Sequence, residues 1–334
     1  MSVKIGINGF GRIGKLVFRL LQEKPEIEIV GINDPADITV LAHLLKYDSA
    51  HGRFSGTVEI SGSKLIVNDK PIQVYHERVP ADIPRTMHGA DIVIEASGLF
   101  TTREKLSQHL SSGARKVILT CPPKDALDKT IIIGINQNDL TADDCLVSNA
   151  SCTANCAAPL LKILHDSFGI EKAFMNTVHA ATNNQRLIDA PHADLRRSRT
   201  ALNNIIPTTS TAIPVIKGVM PFLNDCFDGL ATRVPVDDGS LMELTAVVRT
   251  NTNVQEVNNA FRMASADYMK GIVEYTSDPI VSSDIIGNSH SAIFDSRATK
   301  VLNQNFIQII GWYDNEYGYS SRVVDLIGIM KKLL

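Results

Sequence analysis

A thiol motif is the first feature with the residue types and spacing for chemistry. In Ser148-Asn-Ala-Ser-Cys152-Thr-Ala-Asn-Cys156 an extended run passes into a helical one. Cys152 is expected in the first helical turn, where unpaired amides and the helix dipole favour a thiolate and lower its pKa. Cys156 lies a turn further in and loses most of that field, so Cys152 is the better nucleophile. The C-x3-C spacing is not the C-x2-C of a zinc half-site, and no second cysteine or histidine pair stands at ligand spacing, so no metal is expected. For Cys121, Cys145, Cys156 and Cys226 the ordinary role of a small hydrophobe suffices. His179 ends a strand expected over Lys172 to Val178; an imidazole beside Cys152 would stabilise the thiolate and then act as base and acid.

A second motif, Gly9-Phe-Gly11-Arg-Ile-Gly14, follows an expected strand and opens an expected helix. The first glycine permits the tight turn, the second lets the backbone approach a pyrophosphate, and the third lets the helix pack on the sheet. Asp34 stands at the end of the next strand. A carboxylate there accepts hydrogen bonds from ribose hydroxyls and repels a 2′-phosphate, which favours NAD over NADP. A third feature is the irregular segment from Ala180 to Asn203, which carries Arg186, Arg196, Arg197 and Arg199. It reads as a solvated or subunit-contact loop, or as an anion site, because guanidinium groups match phosphate geometry. Dinucleotide, activated thiol and arginine loop together suggest oxidation of an aldehyde through a covalent thioester.

The elements that must position these groups follow from periodicity. Val3 to Asn8 and Ile27 to Ile32 read as strands around a helix from Arg12 to Gln22, a βαβ unit. The pattern resumes with Ile92 to Ala96, a helix from about Thr102 to Leu110, Lys116 to Thr120 and Cys145 to Ser148. This is an α/β architecture: a Rossmann-type, doubly wound parallel sheet. Leu65 to Val67 and Ile72 to Val74 around Asn68-Asp69 read as a hairpin. The second half differs. After a helix at about Thr153 to Ser167, the alternation from Ser240 to Val248 predicts a mainly antiparallel sheet in an α+β domain. Asn253 with Glu256 resembles a capping box, and Ser320 to Leu333 reads as a last helix.

The chain has 334 residues, 36 acidic and 33 basic side chains and a net charge of −3. That length favours two domains at about 150 residues each. Composition excludes collagen-like, disordered and supercharged chains, and the near-neutral balance argues against dedicated nucleic-acid binding. An odd number of cysteines, no signal-like start and no run of roughly 18 apolar residues predict a cytoplasmic protein with free thiols and no membrane association.

Seven segments, in register over essentially the whole chain, resemble the phosphorylating glyceraldehyde-3-phosphate dehydrogenase family. They are Asn8-Gly-Phe-Gly-Arg-Ile-Gly14, His43-Leu-Leu-Lys-Tyr-Asp-Ser49, Ser148-Asn-Ala-Ser-Cys-Thr153, Asp194-Leu-Arg-Arg197, Ile205-Ile-Pro207, Arg233-Val-Pro235 and Trp312-Tyr-Asp-Asn-Glu316. The resemblance implies that Cys152 attacks the aldehyde of glyceraldehyde 3-phosphate, that His179 takes the thiohemiacetal proton, and that inorganic phosphate cleaves the thioester after hydride passes to NAD. It implies cofactor contacts from Gly9, Arg12, Ile13, Asp34, Arg78, Thr120 and Asn315. Substrate and phosphate contacts are implied for Ser151, Thr153, Thr182, Arg197, Ser210, Thr211 and Arg233. It further implies an NAD-binding domain over residues 1–151, a catalytic and oligomerisation domain over 152–316, and a terminal helix in 317–334 that packs back on the NAD-binding domain. The arginine segment would line a neighbouring subunit's cofactor site in a homotetramer.

Some positions depart from the family pattern. Ser210-Thr211-Ala-Ile-Pro214 stands where Thr-Gly-Ala-Ala-Lys is common, and a threonine disfavours positive φ, so the attacking-phosphate site is expected to be reshaped. Asn184 replaces a frequent aspartate, Ala154 a threonine, and Ala190 a leucine or glycine. Asp237-Asp238 puts two carboxylates near a proposed anion site. Erythrose-4-phosphate dehydrogenase is the runner-up. Its hydrolytic members tend to lack the Thr182 equivalent and to carry glutamate for Asp34, whereas this chain has both residues. A non-catalytic NAD- or RNA-binding module would not need Cys152, His179 and Arg233 together.

Overall fold

A computed structural model of the protein describes residues 2–84, 87 and 89–334. The chain forms two compact units, Met1–Ile131 with Asn136–Ala150 and Ser320–Leu334, and Ile132–Ile135 with Ser151–Tyr319.

The first unit starts with β1 (Val3–Asn8), α1 (Arg12–Leu21) and β2 (Ile27–Asn33), with β1 and β2 parallel. Helix α1 buries Leu16, Val17, Phe18 and Leu21. α2 (Ile38–Lys46), capped by Asp37, was not read from the sequence. Next come β3 (Val58–Ser61), β4 (Lys64–Val67) and β5 (Lys70–Tyr75). Asn68 and Asp69 both take left-handed backbone, φ 51° and 64°, as the two-residue turn between β4 and β5 requires. β6 (Ile92–Glu95), α3 (Arg103–Ser111), β7 (Lys116–Leu119), β8 (Lys129–Thr130) and β9 (Leu146–Ser148) complete a sheet of order β3-β4-β5-β2-β1-β6-β7-β9-β8. Its central strands β6 and β7 are buried at every position, as parallel strands covered on both faces must be.

The second unit opens with α4 (Cys152–Phe168) and β10 (Ile170–His179). Then follow β11 (Ile206–Thr208), α5 (Ala212–Val219), β12 (Phe227–Arg233), β13 (Ser240–Val248) and α6 (Val254–Ala266). β14 (Val273–Thr276), β15 (Ala292–Asp295), β16 (Lys300–Leu302), β17 (Phe306–Tyr313) and α7 (Tyr317–Met330) end the chain. The sheet order is β11-β12-β10-β13-β17-β15-β14, with β16 beside β17. Most pairs are antiparallel, but β10 runs parallel to β12, and β14 to β15. Every second residue of β13 is buried, one face packed and one open.

Two expectations are corrected. Asn253 caps α6 by accepting from the Glu256 amide at 3.0 Å, but the Glu256 carboxylate takes the Thr252 hydroxyl at 2.9 Å, so half of the capping box forms. The last helix starts at Tyr317 rather than Ser320 because the Asp314 carboxylate accepts from the amides of Glu316 and Tyr317, at 2.9 and 2.6 Å. Residues 180–205 form neither helix nor strand. Asp189 pins them by accepting from Arg199 Nε and the Thr200 amide, and Asp194 by accepting from the Thr208 hydroxyl.

Candidate active site

The turn between β9 and α4 aims the nucleophile. Ala150 is held at φ 58°, a left-handed conformation that costs an L-residue about 1–2 kcal/mol. Ser151 then caps α4 by accepting from the Ala154 amide at 3.1 Å, which commits its hydroxyl to the helix end. Cys152 is the first helical residue and half-buried. Its Sγ lies 3.5 Å from His179 Nε2 and 4.0 Å from the Thr153 hydroxyl.

His179 and Arg233 are register partners at the ends of the parallel strands β10 and β12. His179 Nδ1 lies 2.8 Å from the Ala180 carbonyl and 2.6 Å from Arg233 Nη1, which also donates to that carbonyl at 3.1 Å. Tyr313, opposite Ser240 at the end of β17, sets its ring edge-on to His179 at 5.9 Å. Its buried hydroxyl bridges the hydroxyls of Thr177 at 2.7 Å and Thr153 at 3.1 Å. One sheet edge therefore collects the imidazole, the guanidinium and the phenol.

Electrostatics differ from the sequence expectation of a lowered thiol. Burial pushes the Cys152 thiol up, against the opposing pull of Arg233 and the Thr153 hydrogen bonds. Burial and then the Arg233 charge push His179 down to about 3. Both shifts work against the charged forms of the pair, the thiolate and the imidazolium. Burial raises Cys156 well above its ordinary range, which leaves it an inert core thiol.

The remaining residues of this unit flank the pair. The Ala180 amide donates to the Ser240 hydroxyl at 3.1 Å, and that hydroxyl donates to Asn315 Oδ1 at 2.6 Å, so Asn315 is tied to the backbone next to His179. Arg197 donates to the Thr208 hydroxyl and the Thr209 carbonyl, and its charge is felt at both His179 and Arg233. Thr182 bonds within its own turn to Gln185, and Asn184 meets His192. Ser210 accepts from the Ala212 amide, and Thr211 enters α5 with right-handed backbone, φ −71°. The glycine-to-threonine departure is thus accommodated without positive φ. Buried Asp238 opposes the Cys152 thiolate electrostatically.

The glycine motif is built for a dinucleotide. Gly9 has φ 92°, and a Cβ there would collide with the Ala96–Ser97 backbone; a Cβ on Gly14 would collide with the Gly9 carbonyl. A Cβ on Gly11 would meet nothing within 4 Å, so that glycine keeps open the space a pyrophosphate would take. A cavity of about 290 Å³ is lined by Gly9, Gly11, Asp34, Arg78, Ser97 and Phe100, among others. Asp34 accepts from the amides of Phe10 and Ala36, at 2.8 and 2.9 Å, and this fixes its carboxylate at the end of β2. Ile13 lies in the first turn of α1, Arg12 is paired with Asp48 at 2.5 Å, and Thr120 bonds the Glu95 carbonyl. These residues fit NAD.

Sequence reasoning missed Glu95, Ser240 and Tyr313. Glu95 is fully buried and binds Asn8, Ser97 and His109, a polar floor beneath the glycine turn. Its signal was a carboxylate closing the apolar run Ile92-Val-Ile; Tyr313 stood inside the Trp312-Tyr-Asp-Asn-Glu316 motif with nothing to mark its role, and Ser240 gave no signal.

A dinucleotide fold on one unit and a thiol–imidazole pair on the other define the class, a dehydrogenase working through a cysteine. Residues 3–103 match the family model for the glyceraldehyde 3-phosphate dehydrogenase NAD binding domain, and residues 151–315 that for its C-terminal domain. The chain is 47% identical over 328 residues to glyceraldehyde-3-phosphate dehydrogenase of Geobacillus stearothermophilus, covering 98% of this chain and 97% of that one. It is 45% identical over 333 residues to glyceraldehyde-3-phosphate dehydrogenase 1 of Bacillus subtilis, 99% of each. It is 46% identical over 332 residues to the cytosolic enzyme of Gracilaria gracilis, 99% and 98% of the two chains. The chain belongs to the glyceraldehyde-3-phosphate dehydrogenase family.

Proposed function

We propose that the protein catalyses NAD-dependent oxidative phosphorylation of glyceraldehyde 3-phosphate to 1,3-bisphosphoglycerate, the glycolytic reaction. The observation that carries this reading is the 3.5 Å contact of Cys152 Sγ with His179 Nε2 at a helix N-terminus. Cys152 gives its proton up and bonds to the aldehyde carbon, and the carbonyl oxygen takes a proton to complete the thiohemiacetal. His179 Nε2 removes that hydroxyl proton as hydride leaves the carbon, which converts the adduct to a thioester. NAD, when bound, supplies the hydride acceptor at its nicotinamide ring. Inorganic phosphate then attacks the thioester carbon, the C–S bond breaks, and Cys152 leaves as thiolate.

In this reading Gly9, Arg12, Ile13, Asp34, Arg78 and Thr120 hold the dinucleotide, and Asn315 turns the carboxamide. Arg233, Arg197, Thr182, Ser151, Thr153, Ser210 and Thr211 serve the two phosphate groups. The division is an NAD-binding domain over residues 1–151, a catalytic domain over 152–316 and a returning helix in 317–334. A homotetramer is supported by exposed apolar side chains in the arginine segment, where Leu195 is 81% and Ile188 70% exposed. Five free cysteines and a cytosolic relative support the cytoplasm, and no helix among the described residues is long and apolar enough to cross a membrane. The test is NADH formation with glyceraldehyde 3-phosphate and with erythrose 4-phosphate, each with and without inorganic phosphate. Strong phosphate dependence with the triose is expected; phosphate-independent oxidation or preference for the tetrose overturns the reading.

A further inference from the structure

The side-chain amide of Asn315 carries an acceptor, Oδ1, and a donor, Nδ2, and its neighbour decides which of the two is left free. Asn315 lies in the turn between β17 and α7. That backbone is pinned because the Asp314 carboxylate accepts from the amides of Gly287, Glu316 and Tyr317. The amide side chain makes one hydrogen bond among the described residues, in which Oδ1 accepts from the Ser240 hydroxyl at 2.6 Å, and Nδ2 makes none. Ser240 is fully buried, and its hydroxyl accepts from the Ala180 amide at 3.1 Å. A backbone N–H can only donate, so the hydroxyl proton must find an acceptor elsewhere, and Oδ1 is the one in reach. With the amide turned over, Nδ2 and the Ala180 N–H would both donate to Ser240 Oγ. The hydroxyl proton would then be buried without a partner, which disfavours that state by roughly ten-fold or more. The three residues meet because β13 pairs antiparallel with both β10 and β17.

We propose that Ser240 is a positioning residue for the cofactor: its hydroxyl, kept as a donor by the Ala180 amide, holds Asn315 with Oδ1 inward, so that Nδ2 is the atom that meets the carbonyl oxygen of the nicotinamide carboxamide. This rests on the reading above that Asn315 turns the carboxamide, and it adds which atom does so and which residue sets that atom. Half a turn of the nicotinamide ring about its glycosidic bond would carry the carbonyl oxygen away from Nδ2 and present the other face of C4. The Ser240 hydroxyl therefore acts, through Asn315, on which face of the ring receives hydride.

The test is calorimetric binding to the enzyme freed of nucleotide, with three ligands. They are NAD, ADP-ribose, which lacks the nicotinamide ring, and acetylpyridine adenine dinucleotide, which keeps the carbonyl oxygen but carries a methyl group in place of the amide nitrogen. Ser240→Ala should weaken NAD and the acetylpyridine analogue alike, by about five-fold or more, and leave ADP-ribose within about two-fold of wild type. Ser240→Ala combined with Asn315→Ala should bind NAD no more weakly than Asn315→Ala alone, because the hydroxyl acts only through the amide. Equal weakening of ADP-ribose would make Ser240 a merely structural residue, additive losses would give it a route that bypasses Asn315, and unchanged NAD affinity would leave it no role; each overturns the proposal. Should Ser240→Ala not fold, Asn315→Ala leaves the bond between Ser240 and Ala180 in place and tests the orientation by itself. Equal losses for NAD and the analogue are expected from it, and a loss confined to NAD would mean that Oδ1 meets the amide nitrogen, which refutes the proposal. If Asn315→Ala binds NAD as wild type does, the assignment of the carboxamide to Asn315 falls instead, and the role of Ser240 with it.

Discussion

Burying a neutral imidazole against a guanidinium makes folding sensitive to mild acid, and His179→Asn isolates the effect. His179 titrates near 3 in the folded protein, pushed down by burial and then by Arg233, against about 6.5 in the unfolded chain. Below 6.5 the unfolded chain gains a proton that the folded one refuses until pH approaches 3. The unfolded state binds more protons across that window, so stability rises with pH within it and falls on acidification. At about 1.4 kcal/mol per pH unit, acidification from pH 6.5 to 5 removes about 2 kcal/mol through this residue. Asparagine does not titrate. Urea unfolding at pH 7 and pH 5, in buffer free of phosphate and sulfate, should show wild type losing about 2 kcal/mol more than the variant. Asp48 also responds to acid: burial pushes it up, but bonds from His51 and Arg12 outweigh that and hold it below the usual carboxylate range. Both proteins share Asp48, so it drops out of the difference. Equal losses for the two proteins would refute the buried neutral imidazole.

Further outcomes follow from single contacts. Asp34→Gly should weaken NAD by about 2 kcal/mol, roughly 30-fold, and improve NADP relative to it; titration with both dinucleotides checks this. Tyr313→Phe keeps the ring against His179 but removes the buried hydrogen bonds to the hydroxyls of Thr153 and Thr177, so stability should fall by about 1–3 kcal/mol while kcat changes less than about three-fold, measured by urea unfolding and steady-state rates. Asn253→Ala removes the cap of α6 and should cost about 1 kcal/mol with no change in turnover.

Local patterns were legible in the sequence. β1, α1 and the glycine turn are written within a few residues of one another, and Asn68-Asp69 has the two residues that tolerate its turn. Cys152 and His179 could be singled out because each stands at the end of an element. Their electrostatics could not. The helix-dipole argument is local and lowers the thiol, whereas burial is a property of the assembled unit and raises it. The contact of Arg233 with His179 spans 54 positions and depends on parallel pairing of β10 with β12, a register that neither strand encodes alone. Tyr313 reaches Thr177 across 136 positions because β10 and β17 both pair antiparallel with β13. The start of α7 was misplaced because Tyr317-Gly-Tyr has no apolar period; Asp314, which holds that turn, precedes the helix.

The chemistry at Cys152 is tested most directly by trapping its acyl adduct. The enzyme is mixed with NAD and glyceraldehyde 3-phosphate in the absence of inorganic phosphate, quenched in acid, and its peptides are weighed by mass spectrometry. The phosphoglyceroyl thioester should be found on the peptide bearing Cys152, in step with the NADH burst. It should be absent from Cys152→Ala and vanish when phosphate is added before the quench. NADH formation with no adduct, or with an adduct on Cys121, Cys145, Cys156 or Cys226, would contradict the account.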